Sequence, residues 1–356
     1  MSETPQSIPA TMRQWLLGDH PRGRALRDGD FKLVETPVPS PSDNQVLLKL
    51  RYLGFDPAQK GWMENVADYV APMAIGDVMR GTGIGEVVQS GNPDMPVGSL
   101  WSGMTGWTEY LVTDGRGYDR VDAGMDASVN DSVNDSVNER LSPVASLSVL
   151  GLTGMTAWCG LFKIGQPIAG DVVVISGAAG ATGSVVGQLA KNAGCRVIGI
   201  AGGAEKCDWL VNQAGFDAAI DYKNEPVKEK LRAHAPGGVD IVYDNVGGAV
   251  LDDMLACIAT GARVVVCGGI SRYETGDVPE GPKNYFNLIF RRARMQGFIV
   301  LDYQAEFPQI RARLISMIEA GKLTWQEDIQ HGFEQAPDTL NRLYQGLNKG
   351  KQILQL

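Results

Sequence analysis

DVVVISGAAGATGSVVGQLAK, Asp171 to Lys191, joins a run of apolar, β-branched residues to a glycine turn and then to a helical stretch. Four consecutive branched side chains, Val172 to Ile175, favour a strand buried on both faces. Gly177, Gly180 and Gly183 then fall at the strand-to-helix turn. Glycines there let a backbone approach a pyrophosphate, and the free N–H groups at the start of the helix favour negative charge. The same residues also suit a plain tight turn, so the surroundings decide between the two.

Downstream the sequence alternates apolar runs with helical stretches: RVIGIA (Arg196 to Ala201), AAIDY (Ala218 to Tyr222), VDIVYDN (Val239 to Asn245), ARVVVCGG (Ala262 to Gly269) and MQGFIV, ending near Val300. With Asp171 to Ser176 these make six strands, the number in a full dinucleotide-binding sheet. The fold class is therefore α/β, with a doubly wound parallel sheet of Rossmann type. Residues 8 to about 115 read differently, as short strand-like runs such as QVLLKLRYL and GIGEVVQSG broken by Gly and Pro, which predicts an irregular β-rich domain. An amphipathic helix is expected from Phe307 to Ala320 and a last strand in KQILQL. The predicted domains are 1–148, with 318–356 packing back on it, and 149–317. Asp126 to Arg140 repeats Ser-Val-Asn-Asp and reads as a surface insertion, or else as a short helix with Val129, Val133 and Val137 on one face.

The second strand also speaks to the choice of dinucleotide. An acid at its end would accept the ribose 2′-hydroxyl of NAD, but here it ends in Ala201, Gly202 and Gly203. With no acid directly there and Lys206 close by, the pattern points to NADPH, whose 2′-phosphate an acid would repel. Glu205 argues weakly the other way, and Lys206 also fits a solvated surface lysine. Tyr222, after the third strand, can reach the same place or serve as a half-buried aromatic.

The formal net charge of −9 disfavours nucleic acid and anionic membranes as partners. Hydrophobic residues at 44% and charged residues at 21% suit a globular chain, and no apolar run is long enough to span a bilayer. The start lacks the pattern of a signal peptide, so the expected location is cytoplasmic. Cys159, Cys195, Cys207, Cys257 and Cys267 form no CxxC pair, and the histidines are only His20, His234 and His331, so no metal site is predicted. No GxSxG elbow is present either.

RYLGFDP, GLTGMTAWCGL, SGAAGATGSVVGQLAK, YDNVGG, VCGGISRY, QGFIV and NKGKQIL together resemble the zinc-independent branch of the medium-chain dehydrogenase/reductase superfamily. That branch holds the NADPH-dependent enone and alkenal reductases: prostaglandin, plant double-bond and curcumin reductases. The resemblance implies a GroES-like catalytic domain beside the Rossmann domain, an active site in the cleft between them, and a homodimer. It places Gly180, Ala181, Thr182 and Gly183 on the pyrophosphate, Gly203, Lys206 and Tyr222 near the 2′-phosphate, and Met155 and Asn245 toward the nicotinamide. Cys267, Gly268, Gly269, Ile270, Ser271, Arg272 and Tyr273, with Phe298, Ile299 and Val300, would wall the ribose and nicotinamide, and Asn348 of the terminal NxGK pattern would touch cofactor. The zinc-dependent relatives' catalytic cysteine, GHE motif and four-cysteine lobe are missing from GFDP and RGTGIGEV.

The implied reaction delivers hydride to the β-carbon of an α,β-unsaturated ketone or aldehyde and needs a donor at the carbonyl oxygen. Tyr273 is the leading candidate, or else an aromatic wall, and Tyr52 is a weaker one that also suits packing. A tyrosine of the plant enzymes is replaced by Thr82. Trp62, Met63, Met104, Trp107, Tyr285 and Phe286 are candidates for lining an apolar pocket, though most such residues are core. An elongated, weakly polar enone or alkenal is the expected small-molecule partner, and Arg272 keeps an acidic one open. A quinone reductase and a nonenzymatic NADPH-binding protein are the rival readings.

Overall fold

The structure, a computed structural model, describes residues 8–121, 141–272 and 280–356. The Ser-Val-Asn-Asp repeat and Tyr273 lie outside the described residues. The chain divides into two compact units, one of residues 1–147, 329–343 and 352–356, the other of residues 148–328 and 344–351.

The first unit is β-rich. Strands β1 (Thr11–Leu17) and β2 (Phe31–Pro37) pair antiparallel, from Thr11 opposite Pro37 to Leu17 opposite Phe31. β3 (Val46–Phe55), β4 (Thr82–Ser90), β5 (Leu100–Met104), β6 (Tyr110–Thr113) and β7 (Asp119–Arg120) belong to a second sheet, in which β3 is central and pairs with both β4 and β6. Leu47, Leu48, Leu50, Leu53 and Phe55 of β3 are all buried. The β3–β4 register shifts between Leu47 and Leu48 and again between Leu50 and Tyr52. Each extra residue bends the strand and resets which side chains face the core, and strict alternation is lost with it.

The second unit carries a six-stranded sheet: β8 (Val172–Ser176), β9 (Arg196–Ala201), β10 (Ala218–Asp221), β11 (Val239–Asp244), β12 (Ile258–Val266) and β13 (Arg294–Gly297). Its order is β10-β9-β8-β11-β12-β13, and every neighbouring pair is parallel. This is the doubly wound order, with its switch point between β8 and β11. Val173, Val174, Ile175, Val197, Ile198, Ile241 and Val242 are fully buried, because helices cover both faces. β13 is shorter than the sequence suggests. It pairs only with β12, from Arg294 opposite Arg263 to Gly297 opposite Val266, so Phe298 and Ile299 lie beyond the ladder and Val300 opens a 3-10 segment to Glu306.

The helix Phe307–Glu319 forms where its apolar period predicts, burying Ile310, Leu314 and Ile318 at four-residue spacing. The remainder of the chain departs from the expectation that residues 318–356 join the first domain. Residues 318–328 and 344–351 count with the second unit. Local hydrogen bonds give the reason: Gln188 Nε2 donates to the Thr324 carbonyl, Asn192 Nδ2 to the Lys322 carbonyl, and the Gly350 amide to the Ala179 carbonyl. Only β14 from Ile329 onward (Glu327–His331 in all), the helix Ala336–Tyr344 as far as Leu343 and β15 (Lys351–Gln355) from Gln352 on rejoin the first.

Candidate active site

β8 ends at Ser176, and Gly177 turns the chain with φ +58. Gly180 is the extended N-cap of the helix Ala181–Asn192 and supplies no side-chain cap. The first-turn amides of Ala181, Thr182 and Gly183 are therefore left to an external acceptor. A Cβ on Gly183 would sit 2.4 Å from the Gly177 carbonyl oxygen, so only glycine lets helix and strand approach this closely.

A second helix start lies at the end of β9. Gly203, with φ +98, is the N-cap of Ala204–Asn212 and also gives no side-chain cap. Its amide donates to Asp221 Oδ1 at 2.8 Å. Asp221, at the end of β10, also accepts from the Lys223 amide and from Asn224 Nδ2, and these bonds, led by that from Gly203, hold its carboxyl below the usual range. The nearby acid is thus tied into the backbone. Tyr222 is 47% exposed and leans over Gly202, where an added Cβ would meet its ring at 2.9 Å and Lys223 Cε at 3.0 Å.

Lys206 donates to the Gly346 carbonyl at 2.8 Å. Burial lowers the pKa of its ammonium, and Lys223 and Lys349 push in the same direction. Three cations therefore converge on one place. The sequence alone does not single out Lys223 or Lys349, although Lys223 follows Tyr222 and Lys349 lies inside the NKGK motif. Ala179, Glu205, Lys206, Trp209 and Lys349 help line a cavity of about 260 Å³.

Gly350 explains the terminal motif. It takes φ +68, bridges to Gly180 in parallel, and could carry no Cβ, which would lie 2.0 Å from the Gln326 carbonyl oxygen. Asn348 Nδ2 donates to the Gly350 carbonyl at 2.8 Å, so Asn348 shapes this turn beside the glycine loop.

On the other side of the switch point, the fully buried Asp244 accepts from Ser176 Oγ at 2.6 Å and from the Val246 and Gly247 amides, while burial raises its pKa. Asn245 donates through Nδ2 to the Ser176 carbonyl at 2.7 Å. The amides of Cys267 and Gly268 donate to the Asp244 carbonyl, that of Ile270 to Asn245, and that of Ser271 to Val246. Arg272 closes this 3-10 turn by donating its amide to the Gly269 carbonyl. The loop expected to wall the ribose is thereby fastened to the strand end carrying Asn245. Burial raises the Cys267 thiol to about 11.

Other expected residues sit elsewhere. Met155 is 1% exposed inside the helix Leu152–Cys159, a core position. Phe298, Ile299 and Val300 are half-buried, and a Cβ on Gly160 would lie 2.8 Å from the Phe298 ring. Tyr52 packs against the Ile84, Val144, Leu147 and Ile353 cluster of the first unit, which gives it a packing role and supplies no observation for a catalytic one. Met63 and Trp107 are fully buried core, whereas Met104, Tyr285 and Phe286 are exposed.

The arrangement fits a dinucleotide: two uncapped helix starts, a glycine approach that excludes side chains, and clustered lysines offer anion sites at the ends of β8 and β9. Among the described residues there is no group of three or more His, Cys, Asp or Glu side chains that could hold a metal ion. Nor, among them, is any helix long and apolar enough to cross a membrane.

Comparison with known proteins agrees with this geometry. A family model described as the N-terminal domain of oxidoreductase matches residues 13–121, and one described as zinc-binding dehydrogenase matches residues 181–316. The NADPH-dependent curcumin reductase of Escherichia coli is 36% identical over 97% of this chain and 96% of its own. The NADP-dependent 2-alkenal reductase of Nicotiana tabacum is 38% identical over 90% of each chain. This chain is a medium-chain dehydrogenase/reductase. The crystal structure of CurA from Vibrio vulnificus in complex with NADPH matches this medium-chain reductase with a TM-score of 0.86 and 36% identity, covering 96% of this chain and 98% of that one.

Proposed function

We propose that this medium-chain reductase uses NADPH to reduce the carbon–carbon double bond of α,β-unsaturated ketones and aldehydes, without a metal, as a cytoplasmic homodimer. The observation that carries the reading is full-length similarity to enzymes named curcumin and 2-alkenal reductases, joined to a glycine turn and lysine cluster suited to a 2′-phosphorylated dinucleotide. When bound, NADPH supplies a hydride for the β-carbon of the substrate.

In this reading the amides at Ala181, Thr182 and Gly183 hold the pyrophosphate, and Lys206 and Tyr222 meet the 2′-phosphate. Asn245 and the loop Cys267 to Arg272 shape the ribose and nicotinamide side. Negative charge grows on the substrate's carbonyl oxygen as its β-carbon accepts hydride, and Tyr273 is proposed to donate a hydrogen bond there. The α-carbon then takes a proton, so the product gains two hydrogens and keeps its carbonyl.

NADPH oxidation measured with enones, 2-alkenals and quinones, with product mass and carbonyl analysis, tests the proposal. A saturated carbonyl product supports it. Oxidation with quinones alone, or with no acceptor of these classes, overturns it, as would zinc at one equivalent in the active protein.

A further inference from the structure

Glu205, the first-turn acid of the helix Ala204–Asn212, is the residue that argues against a 2′-phosphate, since its carboxylate would repel a second anion at the same helix start. In the structure it does not stand alone. Lys349 reaches across 144 residues of sequence to form an ion pair with it, although both side chains are substantially exposed. The backbone beside Lys349 is fixed: Gly350 is held to Ala179 and Gly180 and has no room for a Cβ against Gln326. The lysine and the acid both line the cavity that Lys206 lines, and the field of Lys349 is felt at the Lys206 ammonium.

We propose that Lys349 is a cofactor-selecting residue: it neutralises Glu205 and, when a 2′-phosphorylated nucleotide arrives, turns to the phosphate while staying anchored on the turn beside Gly180. The inference rests on the NADPH reading above and adds to it the residue that makes an acid tolerable at this position. An exposed ion pair in water is weak, so exchanging the carboxylate for a phosphate dianion costs little. Lys206, half-buried and bonded to the Gly346 carbonyl, supplies the fixed part of the site, and Lys349 the adjustable part.

Calorimetric titration with 2′,5′-ADP and with 5′-AMP reads binding without turnover. Lys349→Ala should weaken 2′,5′-ADP about fivefold to tenfold and leave 5′-AMP within about twofold. Glu205→Gln should strengthen 2′,5′-ADP about twofold to fivefold, and the double variant should return close to the unmodified protein, since it removes one charge of each sign. If Lys349→Ala leaves 2′,5′-ADP unchanged, or weakens both nucleotides alike, the selecting role is wrong while the NADPH reading stands. If the unmodified protein itself binds the two nucleotides equally, the NADPH reading falls and this proposal with it.

Discussion

The amide of Gly350 donates to the carbonyl of Ala179 at 3.2 Å, so a turn near the end of the chain lies alongside the glycine loop that follows β8. With the bridge from Gly350 to Gly180, it joins the NKGK turn to the glycine loop.

Gly350→Ala should therefore be costly. Its φ of +68 and a Cβ 2.0 Å from the Gln326 carbonyl oxygen both oppose any side chain. A loss of roughly 2 kcal/mol or more in unfolding free energy is expected from left-handed strain and displaced backbone together. Denaturant melts would read it, and calorimetric NADPH titration should show weaker binding. A variant as stable as the parent would mean that the Gly350–Gln326 approach is not made.

Lys206→Ala tests the phosphate end. A charged hydrogen bond to phosphate is worth about 1.5 to 3 kcal/mol, so NADPH binding should weaken by that amount while NADH binding stays nearly constant. The ammonium is already disfavoured by burial and by Lys223 and Lys349, and an arriving dianion relieves that stress. Equal losses for both cofactors would remove Lys206 from the 2′-phosphate site.

Tyr273→Phe tests the proton side of the chemistry. With the hydroxyl acting as a full oxyanion donor, kcat should fall by up to about 10² to 10³, with little change in NADPH affinity. Steady-state rates on one enone decide the matter, since an aromatic wall would survive the substitution.

The thiols give a pH prediction. Burial is the leading cause that raises Cys159, Cys195, Cys207 and Cys267 to about 11, with Cys257 raised as well. A raised thiol pKa leaves the neutral form dominant at pH 7, and the reactive thiolate grows about tenfold per pH unit below the pKa. Iodoacetamide should label the folded protein very slowly at pH 7 and faster by about that factor per unit up to pH 9. A rapid equivalent of labelling at pH 7 would contradict this.

Much of the second unit was legible because its strands are buried on both faces, leaving continuous apolar runs that composition alone exposes. The glycine turn was legible for a related reason: only a backbone that must approach something closely needs glycine at Gly183. β13 was overextended because Phe298 and Ile299 look like strand residues, and nothing local says that the neighbouring strand has ended. Lys223 and Lys349 were hidden because a lysine's meaning depends on what lies near it, and Lys349 meets Glu205 only through the fold. Met155 enters through family resemblance alone, since nothing in its own stretch of sequence marks it, and it is buried in the helix Leu152–Cys159.

The nucleotide-binding unit is assembled from two stretches, residues 148–328 and 344–351, with a visit to the other unit between them. A ribosome making this protein must therefore release residues 344–351 before the Gly180 turn can acquire its Gly350 neighbour. Nascent chains will wait with that turn unsupported, and any break that removes Gly350 should loosen a turn whose own glycines lie far upstream.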